Sequence, residues 1–167
     1  MPRVLRIGAV LVLAMVFAAG CGYQLRGTAS LPEAMDTTYL DAADESSLFT
    51  RELRLLLEAN GVEVVDTSSS DAATLAILVE RITRRPLTIS DEARVREFEL
   101  VFELRFTLRG PDGNTLIRPE TLRLERDFQF DREQILGAAN EEELLQEDLR
   151  RAMASALLRR LEAFGRS

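Results

Sequence analysis

The chain of 167 residues contains no His and no Trp, all 21 of its basic residues are Arg, and it has a single Cys. Each gap removes chemistry. Without His there is no Ser-His-Asp or Cys-His nucleophile system and no His-ligated zinc. Without Lys there is no Schiff base and no P-loop lysine. One Cys closes no internal disulfide and builds no iron–sulfur or structural zinc cluster. Only carboxylate chemistry is left to an enzyme. The expectation is therefore a protein that is not an enzyme and holds no metal or cofactor. The charge balance adds a second exclusion. Leaving aside residues 1–20, which hold Arg3 and Arg6 and no acid, nineteen basic residues face 28 acidic ones, a net charge of −9. Sequence-blind nucleic-acid binding leans on net positive charge, so nucleic acid is not an expected partner. With 46% apolar and 29% charged residues, the chain is still apolar enough to fold.

The first twenty residues read as a targeting segment. Ile7–Ala19 is a run of thirteen uncharged residues behind Arg3 and Arg6. As a helix it would be roughly 20 Å long, short of a hydrocarbon core of about 30 Å, so it fits a signal peptide better than a membrane span. Ala18-Ala19-Gly20 then leads directly into Cys21. This resembles the bacterial lipobox, although Ala18 stands where Leu is usual. The resemblance implies cleavage before Cys21, a diacylglycerol on its sulfur and an acyl chain on its new amine. Several acyl chains anchor stably where one binds only marginally. Gly22 follows, rather than the Asp that retains enterobacterial lipoproteins at the inner membrane, which implies the outer membrane. The expected organisation is a signal peptide at 1–20, a lipidated tether at 21–36 and one domain at 37–167.

Within that domain, Thr37–Asp41 reads as a short strand. Phe49, Leu53, Leu56 and Leu57 make one apolar stripe of a helix from Ser47 to Asn60, stopped by Gly61 and followed by a strand at Val62–Val65. Leu75–Ile89 is strand-like but alternates less cleanly. Phe98, Leu100, Phe102, Leu104, Phe106 and Leu108 alternate without a break against Glu97, Glu99, Val101, Glu103, Arg105, Thr107 and Arg109, which marks one buried and one wet sheet face. A turn at Gly110–Asn114 precedes a return strand through Phe130, in which Pro119 points to an edge or a bulge. A final helix is expected from about Asn140 to Phe164, with Glu141, Glu142 and Glu143 in its first turns, where the helix dipole favours acids. The order β-α-β-β-β-β-α gives an α+β fold, a two-layer sandwich with two helices on one face of a mostly antiparallel four- to five-stranded sheet.

The start of the mature chain, Cys21-Gly22-Tyr23-Gln24-Leu25-Arg26-Gly27, resembles the opening of the LPS-assembly lipoprotein family, LptE. Leu53–Val65 is similar to the family's first helix, glycine stop and short strand. Glu97–Leu100 is similar to the start of its long strand, and Phe128–Asp131 with Leu136, Ala138 and Glu142 to the approach to its last helix. The resemblance spans nearly all of residues 21–164. It implies an outer-membrane lipoprotein facing the periplasm, largely inside the lumen of the LPS-assembly β-barrel LptD, which it plugs and helps to fold. It also implies binding of lipopolysaccharide. A scaffold lipoprotein of a different envelope complex is the alternative.

Arg84, Arg85, Arg94 and Arg96, with Arg81 nearby, bracket the loop near Pro86–Ala93. If this is a hairpin, the four converge near its tip. Guanidinium forks grip phosphates, and lipid A carries phosphates, so these are the candidate lipopolysaccharide contacts. The competing reading is a solvated hairpin balanced by Glu80, Asp91, Glu92 and Glu97. The acids Glu141–Glu143, Glu147 and Asp148 read as helix-dipole partners rather than metal ligands. The pair Glu99 and Glu103 has no sugar-binding aromatic beside it to make a glycosidase.

Overall fold

The computed structural model describes residues 31–89, 95–129 and 135–166, with side-chain surroundings for 31–87, 97–129 and 139–166. Five strands, β1 (Thr37–Ala42), β2 (Glu63–Val65), β3 (Ala73–Ile89), β4 (Val95–Arg109) and β5 (Thr115–Gln129), form one sheet in the order 2-1-3-4-5. Two helices, α1 (Leu48–Ala59) and α2 (Ile135–Gly165), pack on each other and against one face of it. The chain order is β-α-β-β-β-β-α, an α+β sandwich of two layers. The sheet is mixed rather than uniformly antiparallel. Parallel neighbours need a crossover connection, and α1 supplies it between the parallel pair β1 and β2. β3 then lies parallel to β1 on its other side, and β3, β4 and β5 form an antiparallel meander.

Local chemistry sets the element ends. The Ser47 hydroxyl accepts a hydrogen bond from the Thr50 amide at 2.9 Å, which caps α1. Gly61, at φ +91°, takes the left-handed position after the helix that a side chain would resist. In the β4–β5 turn Gly113 has φ +77°, and Asp112 accepts from the Asn114 amide at 3.1 Å.

The core lies between the layers. Leu100, Phe102, Leu104, Phe106 and Leu108 are all fully buried beneath Phe49, Leu53 and Leu57 of α1 and Leu149, Met153, Leu157 and Leu161 of α2. The Phe49 and Phe102 rings meet edge to face, 5.5 Å between centroids. The unclean alternation of β3 has a physical cause. A bulge at Leu78 inserts one residue between the pairs Ile77–Phe106 and Val79–Arg105. Leu75 and Ile77 face the helices before it, and Glu80, Ile82 and Arg84 after it. A second shift, between Ile117 and Glu120, falls at Pro119 on the edge strand β5.

Two boundaries differ from expectation. The tether expected at 21–36 ends earlier, because Leu31 packs on the core, Glu33–Met35 form a 3-10 turn and Met35 is fully buried. The Thr38 hydroxyl, also buried, donates to the Met35 carbonyl at 2.7 Å and holds that turn. The last helix starts at Ile135, five residues before Asn140, so Glu141–Glu143 fall beyond its first turn.

Candidate functional site

The long strands outrun α1. Fifteen residues of β4 extend roughly 50 Å, whereas the twelve residues of α1 cover about 18 Å. The β3–β4 hairpin expected from sequence is present, and its distal half carries Arg84 and Arg85. Only α2 reaches that far. It is pinned there at Glu142, which accepts from Arg84 Nη1 at 2.9 Å, and near its other end at Arg160, whose Nε donates to both oxygens of Glu120 at 2.8 and 3.1 Å. The Glu120 hydrogen bond and charge raise the Arg160 pKa above its already high ordinary value.

Arg84 makes a second contact. Its guanidinium carbon lies 4.4 Å from the centre of the Phe98 ring, and Phe98 stacks on Phe128 with 5.7 Å between centroids. Arg84 remains 46% exposed, while Glu142 is 20% exposed. Beside this cluster an open hollow of about 500 Å³ is lined by Leu87, Glu97, Asp127, Phe128, Gln129 and Glu141. An aromatic floor, a half-open guanidinium and a ring of hydrogen-bonding groups suit a ligand with both polar and apolar parts.

Of the four sequence-named arginines, Arg84 and Arg85 lie on opposite faces of the sheet. Arg84 pairs in register with Leu100 on the helix-covered face, and Arg85 with Glu99 on the outer face, because neighbouring strand residues point to opposite sides. Arg94 and the side chain of Arg96 lie outside the described residues, as does Cys21. Arg81 is on the outer face, paired with Glu103 at 3.4 Å. Three of the five acids read as dipole partners are engaged with arginines instead. Glu142 holds Arg84, and Glu147 and Asp148 hold Arg151 at 3.3 and 3.5 Å. Among the described residues, no group of three or more His, Cys, Asp or Glu is placed to hold a metal ion.

A further polar strap joins β3 to α1. Ser47 Oγ donates to Glu80 at 2.9 Å. Partial burial pushes the Glu80 carboxyl up, and the nearby Asp44 adds to this, while the Ser47 hydrogen bond and Arg150 oppose it. Hydrogen bonds from the Ser46 side chain and amide hold Asp44 below the usual carboxylate range.

The fold defines the class, a two-layer α+β module of the kind found in bacterial lipoproteins. The NMR structure of a lipoprotein B of Nitrosomonas europaea is similar with a TM-score of 0.74 and 29% identity, over 87% of this chain and 94% of that one. The crystal structure of rare lipoprotein B of Shewanella oneidensis has the same fold, with a TM-score of 0.67 and 24% identity over 76% of this chain and 94% of that one. Residues 35–161 match the lipopolysaccharide-assembly family LptE, and the chain belongs to that family. The LPS-assembly lipoprotein LptE of Pectobacterium atrosepticum is 29% identical over 153 residues, 91% of this chain and 82% of that protein. That of Photorhabdus laumondii is 25% identical over 152 residues, with the same two coverages.

Proposed function

We propose that the chain is a lipid-anchored, non-enzymatic subunit of the lipopolysaccharide-assembly apparatus of the outer membrane. It partners the β-barrel LptD, occupies the barrel lumen from the periplasmic side, supports folding of the barrel and binds lipopolysaccharide during its insertion at the cell surface. The observation that carries this reading is the family match over residues 35–161, which takes in both helices through Leu161 and all five strands. The outer sheet face supports it. Glu103 of β4 stands in register between Arg81 of β3 and Arg123 of β5, and Thr83 and Glu125 flank Val101 in the next row. Such a face suits the polar interior of a wide barrel. Cys21 carries the anchor, and Arg84, Arg85, Arg94 and Arg96 supply cationic contacts to lipid A phosphates.

The test is co-purification from detergent-extracted outer membranes. A large β-barrel captured with the tagged chain, at constant ratio through a sizing column, is the expected result. Recovery of another envelope complex in its place would make the chain a scaffold of that complex. In parallel, Cys21→Ala should abolish lipid labelling and signal-peptide removal. Normal labelling of that variant would remove the anchor from the reading.

A further inference from the structure

Arg84 is not waiting for a ligand, because its guanidinium is already held by a carboxylate from another layer of the fold. We propose that Glu142 is an internal competitor for Arg84. An incoming phosphate displaces this carboxylate, and the early turns of α2 are released from the sheet as it does so. This rests on the reading of Arg84 as a lipid A phosphate contact. The geometry favours an exchange over a permanent tie. A guanidinium offers five N–H donors, and Glu142 takes one of them at 2.9 Å while Phe98 supports the group from 4.4 Å. With 46% of Arg84 exposed, a phosphate can engage other donors before Glu142 leaves.

Charge then drives the step. A phosphate monoester carries about −1.5 to −2 at neutral pH against −1 for the carboxylate, and it offers three acceptor oxygens. Once it sits on Arg84, the adjacent acids Glu141, Glu142 and Glu143 are repelled from it. Their helix is free to yield at this end only, because Arg160 clasps Glu120 eighteen residues further along α2. Ligand capture at the hairpin thereby becomes a local loosening of α2, beside the hollow that Glu141 and Phe128 help to line. The ligand class is a phosphorylated amphiphile, and its recognised group is the phosphate.

The experiment measures binding to phosphatidylcholine vesicles doped with lipid A, with dephosphorylated lipid A vesicles and free inorganic phosphate as separate arms. Glu142→Gln removes the competitor and should bind the lipid A vesicles about two- to fivefold tighter, the ceiling set by a partly exposed ion pair. Glu147→Gln makes the same charge change on the same helix, next to Arg151 rather than Arg84, and should leave affinity unchanged. The gain should vanish in the Arg84→Gln, Glu142→Gln double variant and on dephosphorylated vesicles. A matching gain with inorganic phosphate assigns recognition to the phosphate alone, and a gain confined to vesicles assigns it to the lipid headgroup. In hydrogen exchange, residues 139–146 of the native chain should lose protection when lipid A vesicles are added. Unchanged or weaker binding by Glu142→Gln, or protection of 139–146 that rises with ligand, overturns the exchange even if the four arginines are needed for binding. If the variant lacking all four arginines keeps full affinity, the lipid A reading itself fails and the exchange falls with it.

Discussion

The two ends of the β3–β4–β5 meander are built from the same strands and do opposite things. Toward the β4–β5 turn, Leu104, Phe106 and Leu108 are fully buried beneath both helices, with Leu75 beside them. Toward the β3–β4 turn, the helix-facing positions become Arg84, Phe98 and Phe128, and a solvent-open hollow lies beside the buried Phe128. The change follows from length, since α1 covers about a third of a strand of roughly 50 Å. Stability is concentrated where two helices meet the sheet, and charged, partly exposed groups are tolerated where only α2 arrives. A surface that must capture and release a ligand belongs at the second end, where opening costs least.

Substitutions at the two ends should therefore separate. Leu104→Asp places an unpaired charge at a fully buried position, a cost of several kcal/mol and comparable to the whole stability of a marginal domain. It should abolish the cooperative thermal transition. An unchanged melting temperature would mean that the assigned face of β4 is wrong. Ser47→Ala removes the cap of α1 and its bond to Glu80, and should cost about 1 kcal/mol in denaturant melts. At the other end, Arg84→Gln breaks a partly exposed ion pair and should cost less, within about 1 kcal/mol. A larger loss would make the distal clasp a structural element of the first rank and erase the contrast.

The smallest effect is in pH dependence. The folded-state pKa of Glu80 is raised, so its ionised form is the one the fold disfavours. The native chain gains stability from this group as pH falls through the folded-state value, and the gain is complete below the unfolded-state value. Asp44 acts oppositely, because its lowered pKa contributes stability that disappears as pH falls through its folded-state value. Glu80→Gln should therefore be most favourable relative to the native chain near pH 7, and its advantage should shrink toward pH 4. An advantage that grows with acid would assign Glu80 the wrong sign.

Periodicity made the core strand and α1 readable, since a half-buried strand repeats every two residues and a surface helix every three to four. Ser47 and Gly61 sit at the helix ends that their chemistry favours. Register with distant segments was not readable. Nothing local to Leu78 announces the bulge that reverses the facing of β3, and Met35 is an isolated apolar residue in a polar stretch with no period to mark it as core. The acids at 141–143 look like a helix start, yet the helix begins at Ile135 and one of them is spent on an arginine 58 residues away. The opposite facing of Arg84 and Arg85 follows from strand alternation, against the expectation of a shared tip. The partner of Arg84 and the Phe98–Phe128 stack required the tertiary fold.

The central claim is that the far end of the β3–β4 hairpin binds lipid A phosphates while the fold rests on the other end. It is tested most directly by replacing Arg84, Arg85, Arg94 and Arg96 together with Gln, then measuring lipopolysaccharide affinity and melting temperature on the same preparation. Each charge-assisted contact is worth about 1.5–3 kcal/mol, so the loss of even two predicts a drop in affinity of roughly a hundredfold or more. The melting temperature should shift by only a few degrees. Undiminished lipopolysaccharide affinity in a folded variant would contradict the claim and return these arginines to a solvated hairpin.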